Sequence, residues 1–412
     1  MIKKIRVKNF KSFKDLKLNL GDLNILIGAN ASGKSNFIQI FKFLKDVTTL
    51  GLENAISLQG GIDYLRNINI GPSEGLSLEV LCEHNKGSGY LSKHVLMEIK
   101  PYEMVYNLTI EFKKKGIGFS ITEDKLTWRF NLVELKEQKN RDKPKIGEIT
   151  VSNINGRIEM KHDPSEALGI HGYKLSPSGL KEIKLPPQSL LIEPQCSFAH
   201  LFSLMSLDDI STYDFDPKLP KKSAPITGMA DLEEDGRNLS IVLKNIASNK
   251  ENKRKFINLI TDLLPFVQDI KVENLTDKSL LFKLKEIYSQ KEYIPASLIS
   301  DGTINIAALI IALYFDRKTL TIIEEPERNI HPHLISRVIN MMKDASRNKQ
   351  IIVTTHNPEM VRHADINDIL LISRDEEGFS HISNPMDKQE TRIFLENEMG
   401  LADLFVDNLL EV

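Results

Sequence analysis

The feature that most constrains the fold of this 412-residue chain is Gly28-Ala29-Asn30-Ala31-Ser32-Gly33-Lys34-Ser35, set between two different hydrophobic patterns. Leu23–Ile27 is a short apolar run, the pattern of a buried strand. From Asn36 to Leu44 the apolar residues recur at helical spacing. A loop held between a strand and a helix turns successive backbone N–H groups, and the positive helix end, toward one point, and glycines let the backbone curl there. Such a point suits phosphate oxygens. Lys34 would reach the β and γ phosphates, and the Ser35 hydroxyl would ligate Mg²⁺. Residues 28–36 are therefore the candidate nucleotide-binding segment. A chance glycine-rich turn is the alternative, and the strand–loop–helix context counts against it.

Three further stretches add chemistry. Leu320-Thr321-Ile322-Ile323-Glu324-Glu325-Pro326-Glu327 is an apolar strand ending in carboxylates. Glu324 is placed to hold Mg²⁺, commonly through water. Glu325, one residue on, is placed to orient and polarise an attacking water. In isolation the same pattern is a strand with a solvated acidic turn. Upstream, Ser300-Asp301-Gly302-Thr303 opens the apolar helical run Ile304–Phe315. It reads either as a second anion site or as an ordinary N-cap, since Ser and Asp cap helices in any case. Downstream, Gln350–Thr355 is a strand that delivers His356 to its end. A neutral imidazole there can hydrogen-bond a γ-phosphate or the attacking water. The order of these stretches along one chain favours the functional readings together.

In that order the chain resembles the ATP-binding-cassette ATPase heads of the RecF and structural-maintenance-of-chromosomes type. More closely, it resembles the AAA-type ATPases related to the overcoming-lysogenization-defect proteins. The resemblance rests on Met1–Phe13, on Glu324-Glu325-Pro326-Glu327-Arg328-Asn329-Ile330-His331-Pro332 and on Thr354-Thr355-His356-Asn357-Pro358. It covers residues 1–75 and 290–375 well, and the middle loosely. It implies an α/β fold of the P-loop NTPase class, an ABC-ATPase-like head with a mixed sheet, a flanking antiparallel sheet and a long α+β insertion. It implies ATP hydrolysis with Mg²⁺, with Lys34, Glu325 and His356 as catalytic residues. Gln59, in Gln59-Gly60-Gly61, resembles the Q-loop and would join Ser35 and Glu324 in sensing Mg²⁺. Ser300–Thr303 would be the signature segment that covers the ATP of a second protomer, and Asn329 would report across that interface from the D-loop. Two departures stand out: Asp301 takes the place of a second signature glycine, and Glu324 that of the usual Asp.

Bulk properties agree with a cytoplasmic protein of two or three domains. Hydrophobic residues make up 41% and charged residues 27%, ordinary for a chain with a substantial core. Cys82 and Cys196 are too few for a disulfide framework. The N-terminus alternates basic and apolar residues like a strand rather than a signal peptide. Ile306–Phe315, the longest apolar run at about ten residues, is too short to span a bilayer. A net charge of −2 exerts no global pull on nucleic acid, although a local basic face stays open.

The expected organisation is an ATPase head split by an insertion. Residues 1–75 carry its first part, 76–160 an antiparallel β subdomain, 161–289 a mainly helical and loop insertion, and 290–412 its second part. Residues 1–20 read as a hairpin, Asn238–Ile246 and Asn252–Leu264 as helices, and 161–235 as loops with short helices. Two strands and terminal helices are expected after His356. His331 and His333 fit helix capping better than metal binding. The basic run Ser248–Lys255, ending in Lys253-Arg254-Lys255, reads as a solvated helix start, because no aromatic residues interleave to stack bases, and Lys113-Lys114-Lys115 reads as a solvated hairpin tip. Lys11 lies near the nucleotide by resemblance alone.

The resemblance leaves three function classes. The first is an ATPase that dimerises around ATP and scaffolds or regulates an effector protein such as a nuclease, in antiphage defence. The second is a RecF-type clamp on DNA, with RNA also open as a ligand. The third, a self-contained nuclease, is disfavoured because relatives of that kind carry a metal-binding module after the head, and only 56 residues follow His356 here.

Overall fold

The computed structural model describes residues 1–83, 90–91, 97–114, 118–134, 145–163, 184–186, 188–194, 207–276, 278–289, 291–387, 404 and 406. Cys196, much of the segment expected as loops and short helices, and the expected terminal helices lie outside them. The chain forms two compact units. The first comprises Met1–Gly21, Ser35–Asp209 and Arg374–Ile382, the second Asp22–Lys34, Ile210–Ser373 and Ser383–Val412.

In chain order the strands are β1 (Ile2–Phe10), β2 (Phe13–Asn19), β3 (Leu23–Ile27), β4 (Leu76–Glu83), β5 (Tyr90–Leu91), β6 (Met97–Phe112), β7 (Phe119–Glu134), β8 (Lys145–Ile154) and β9 (Arg157–Asp163). They continue as β10 (Ile210–Tyr213), β11 (Ala224–Pro225), β12 (Val267–Asn274), β13 (Ser279–Glu286), β14 (Ile294–Pro295), β15 (Leu320–Glu324), β16 (Gln350–Thr355), β17 (Ile369–Arg374) and β18 (Ser380–Ser383). The helices used below are α1 (Lys34–Leu50), α2 (Leu52–Leu58), α3 (Ile62–Leu65), α4 (Leu239–Ser248), α5 (Lys250–Leu263), α6 (Asp301–Tyr314), α7 (Pro332–Ser346) and α8 (Pro358–His363).

The first unit is built on an antiparallel sheet of order β2-β1-β4-β6-β7-β8-β9, with β5 beside β6. Alternation sets its faces: Ile5 and Val7 of β1 and Leu78 and Val80 of β4 are buried, while their neighbours are half-exposed. The Phe10 ring of β1 lies 6.0 Å from the Phe43 ring of α1, tying that helix to the sheet. A polar knot fixes the far side. Asp124 is buried and accepts from Tyr106 Oη (2.9 Å), Asn153 Nδ2 (2.9 Å) and the Leu191 N–H (2.8 Å). Glu193 accepts the Leu52 and Leu190 N–H groups at 3.1 Å each. Together they pin the 189–193 turn to the sheet.

The second unit holds strands in the order β10-β15-β16-β3-β17, each pairing parallel. β15 and β16 are near-continuous apolar runs, as strands covered on both faces must be. α6 is buried from Thr303 to Leu313, all round its axis, so it is a core helix and not an amphipathic one. One hydrophobic cluster joins it to α4, α5, α7 and the strands. Here too lies a strand pair absent from the sequence reading: β12 and β13 pair antiparallel, with β11 and β14 on β13. Ile270 and Leu284 face the core there, but charged residues between them blur the alternation.

Candidate nucleotide-hydrolysis site

In the second unit β3 ends at Ile27, and Gly28 to Lys34 form a turn that opens α1. Gly33 has φ 114°, a conformation that side-chain-bearing residues avoid, and Ala31 is also left-handed at φ 66°. Gly28 and Ser32 are buried, and Ala29, Asn30 and Ala31 are exposed. Lys34 Nζ donates to the carbonyls of Gly28 (2.7 Å) and Ala29 (2.9 Å). Burial holds its pKa below the usual lysine range, while Glu325, Glu324 and Glu327 act in the opposite sense. The structure therefore gathers the loop lysine and the strand-end carboxylates, which are far apart in sequence, into one electrostatic neighbourhood.

That arrangement follows from parallel pairing. β15 and β16 run in register, Glu324 opposite Thr354, so both chain turns emerge at the same end. Glu325 has φ 46°, a strained value of the kind that collects at functional sites. Its N–H donates to the Thr354 carbonyl (2.8 Å). Its side chain is engaged at both oxygens. His356 Nδ1 lies 2.7 Å from Oε1. Arg328 donates to Oε2 from Nη2 (3.2 Å) and Nε (3.4 Å). Burial alone would raise the Glu325 pKa, but Arg328 and His356 outweigh it and hold the carboxyl below its ordinary value. Glu327 differs: it is 6% exposed, and burial raises its pKa despite a hydrogen bond from Thr355 Oγ1.

Ser300 is the N-cap of α6, its Oγ accepting the Thr303 N–H at 3.2 Å. Asp301 is paired with Lys221 at 2.5 Å, a partner the sequence did not suggest. Gly302 abuts the turn after β15 so closely that an added Cβ would lie 2.4 Å from the Asn329 carbonyl oxygen. Asn305 of the same helix donates to the Arg328 carbonyl. Asn329 itself is exposed and left-handed, φ 61°. Arg328 and Asn305 escaped the sequence reading, because an Arg three residues past a Glu and an Asn inside an apolar helix are ordinary signals.

The remaining candidates belong to the first unit. Ser35 is exposed in the first turn of α1, and Asn36 Nδ2 donates to Ser12 Oγ at 2.9 Å. Gln59, the C-cap of α2, is buried and donates through Nε2 to Gln39 Oε1 (3.0 Å), one helical turn beyond Ser35. Its Oε1 has no hydrogen-bond partner among the described residues. Lys11, in the β1–β2 turn, donates to the Tyr64 carbonyl at 3.4 Å. Outside the site, His331 caps α7 by accepting the His333 N–H.

Among the described residues no group of three or more His, Cys, Asp or Glu is arranged to hold a metal. Glu324, at the end of β15 in the second unit, is nonetheless a hard oxygen donor of the kind Mg²⁺ takes when phosphates and waters complete its shell. No described helix is long and apolar enough to cross a membrane.

A parallel sheet whose glycine loop opens a helix, with carboxylates and a histidine at the neighbouring strand ends, defines a P-loop NTPase of α/β architecture. The family described as "AAA domain, putative AbiEii toxin, Type IV TA system" matches residues 125–362, more than half of the chain, and the chain belongs to it. The family described as "AAA ATPase domain" matches residues 1–167. The protein is an AAA-family ATPase. It is 23% identical over 377 residues to the "ATP/GTP phosphatase" of Helicobacter pylori (strain ATCC 700392 / 26695), covering 89% of this chain and 88% of that protein. Over 63 residues it is 35% identical to the "Septu protein PtuA" of Bacillus thuringiensis, 15% of this chain and 16% of that one. Among solved structures it is similar to an SMC head bound to the C-winged helix domain of ScpA, with 16% identity, TM-score 0.48, and 93% and 96% of the two chains covered. It is also similar to the SMC head domain from Thermotoga maritima, with 15% identity, TM-score 0.44, and 93% and 98% covered.

Proposed function

We propose that this ATPase closes around ATP as a two-fold self-dimer, and that hydrolysis releases the dimer to control a partner effector protein. The observation that carries the reading is the joint placement of Glu325, His356 and Lys34 at one end of the parallel strands, beside a capped Ser300–Thr303 segment that leans on the D-loop. In this reading Lys34 binds the β and γ phosphates, while Ser35, Glu324 and Gln59 hold Mg²⁺. Glu325 is the base that orients the attacking water. A carboxylate kept ionised by Arg328 and His356 can accept a proton from water but cannot donate one. An ionised Glu325 can only accept, so the His356 Nδ1–H donates the hydrogen bond to it, and in the neutral ring Nε2 is then an acceptor. That favours contact with the attacking water over donation to a phosphate oxygen.

The segment Ser300–Thr303 covers the ATP of the second protomer, with Asn329 beside it. Such a self-complementary contact suits a C₂ dimer. The γ-phosphate is the group that distinguishes the closed state, since ADP lacks it. An effector partner is what the family resemblance implies; the family description itself names a toxin of a type IV toxin–antitoxin system. Antiphage defence is the context that the family resemblance implies.

Glu325→Gln tests the reading: it should bind ATP, hydrolyse it at least tenfold more slowly and accumulate as a dimer in size-exclusion chromatography with ATP and Mg²⁺. Unchanged turnover would remove Glu325 as the base. Lys34→Ala should lose nucleotide binding. Ser300→Arg should bind ATP as a monomer and fail to dimerise. Purified from its own host in the trapped form, the protein should bring a stoichiometric effector with it. Recovery with nucleic acid alone would favour the DNA-clamp alternative.

A further inference from the structure

We propose that Glu327 is a positioning residue for hydrolysis: through Thr355 it fixes the turn that carries His356, and so the contact between His356 and Glu325. The inference rests on the reading of Glu325 and His356 given above.

Two segments meet at this end of the strands, residues 325–329 after β15 and 354–357, the end of β16 and the turn beyond it. Three contacts join them. The Glu325 N–H donates to the Thr354 carbonyl (2.8 Å), His356 Nδ1 meets Glu325 Oε1 (2.7 Å), and Thr355 Oγ1 donates to Glu327 Oε1. Thr355 Oγ1 also accepts the Asn357 N–H at 2.9 Å, so one hydroxyl bridges the residues on either side of His356. Asn357 in turn caps α8.

Burial decides which link holds the geometry. The side chains of Arg328 and Glu325 are 39% and 25% exposed, and ion pairs so open to water contribute little. The His356 side chain is 51% exposed and cannot orient itself by packing. Thr355 is fully buried and Glu327 is 6% exposed, so their hydrogen bond, unlike the contacts of Glu325, is shielded from competing water. Stability does not account for a carboxylate here. Its Oε2 is buried with no hydrogen-bond partner among the described residues, an arrangement that costs folding free energy. What the carboxylate does supply is a fixed acceptor for the hydroxyl beside His356.

The experiment is steady-state ATP hydrolysis by the full chain carrying Glu327→Ala, Glu327→Gln, Thr355→Val and His356→Ala, alone and combined. Glu327→Ala and Thr355→Val should each lower kcat about tenfold with the KM for ATP within about twofold, the mark of lost positioning rather than lost binding. Glu327→Gln should stay within about threefold of the wild type, because its Oε1 accepts the same hydrogen bond. Added to His356→Ala, Glu327→Ala should change nothing further. The proposal is overturned if Glu327→Ala turns over like the wild type, or if it slows the His356→Ala enzyme by the same factor as the native one. Should Glu327→Ala not fold, the nearly isosteric Thr355→Val and Glu327→Gln make the same comparison. If Glu325→Gln and His356→Ala both hydrolyse normally, the base reading itself fails; if they are slow and Thr355→Val is not, only the positioning role fails.

Discussion

Gly302 was legible as part of a helix start suited to an anion, yet the contact that demands a glycine there was not. An added Cβ would stand 2.4 Å from the Asn329 carbonyl oxygen, and that oxygen belongs to backbone that cannot swing aside. Gly302→Ala should therefore destabilise the protein by about 1–3 kcal/mol, the usual cost of overpacking a tight contact. It should also slow turnover, because the displaced residue is the neighbour of Arg328, which holds Glu325. Denaturant midpoints and ATP hydrolysis measured on the same preparation check both effects; an alanine variant as stable as the native protein would show that the backbone at Asn329 yields freely. Asp301 carries a related lesson. As a sequence departure it puts a negative charge where an anion is expected, and Lys221, 80 positions earlier, answers it in the fold. Nothing in the sequence around Lys221 singles it out.

Elements with their own period were readable, whereas those defined by a distant partner were not. The β1–β2 hairpin, β15, β16, α4 and α6 announce themselves by alternation, continuous apolar runs or helical spacing. β10 does not: only Ile210 and Tyr213 of its four residues are buried, and it becomes a strand by pairing with β15. Its far end is held by Asp316, which accepts from Ser211 Oγ (2.6 Å) and Tyr213 Oη (2.8 Å). The antiparallel sheet of the first unit hides a similar long-range device in Asp124, whose pKa burial pushes up to about 6 despite its hydrogen bonds from Asn153, Leu191 and Tyr106. A folded-state pKa raised above that of the unfolded chain means that the folded protein binds the proton more tightly. The stability associated with that proton is therefore present in full below about pH 4 and lost as pH rises through 6. At about 1.4 kcal/mol per pH unit, the loss amounts to roughly 3 kcal/mol. Asp124→Asn removes this titration, so the stability of the wild type relative to the variant should fall between pH 4 and pH 6. Parallel stability curves for the two proteins would place the Asp124 pKa in the ordinary range.

At the scale of the whole molecule, the chain passes through each unit more than once, and this limits how it can be divided. β3 is supplied from residues 22–34, ahead of nearly all of the first unit, yet it lies between β16 and β17 in the sheet of the second. Register makes the dependence explicit: Leu23 to Ile27 pair with Ile351 to Thr355 on one side, and Ile25 to Ile27 with Ile369 to Leu371 on the other. All five β3 residues are buried. Its four apolar side chains, at about 1.5–3 kcal/mol each, contribute on the order of 6–12 kcal/mol, comparable to the roughly 5–15 kcal/mol net stability of a whole domain. Residues 210–412 expressed alone would lose that contribution and leave β16 and β17 with unpaired inner edges, which invite aggregation. The fragment is thus expected to show no cooperative unfolding transition and to precipitate. Co-expression with residues 1–209, which return β3 and the phosphate loop together, should restore both a soluble complex and ATP turnover. Cooperative unfolding of the fragment by itself would mean that the remaining parallel strands close without β3. The hydrolytic site would then be a loop added to a finished sheet rather than a product of the strand at its centre.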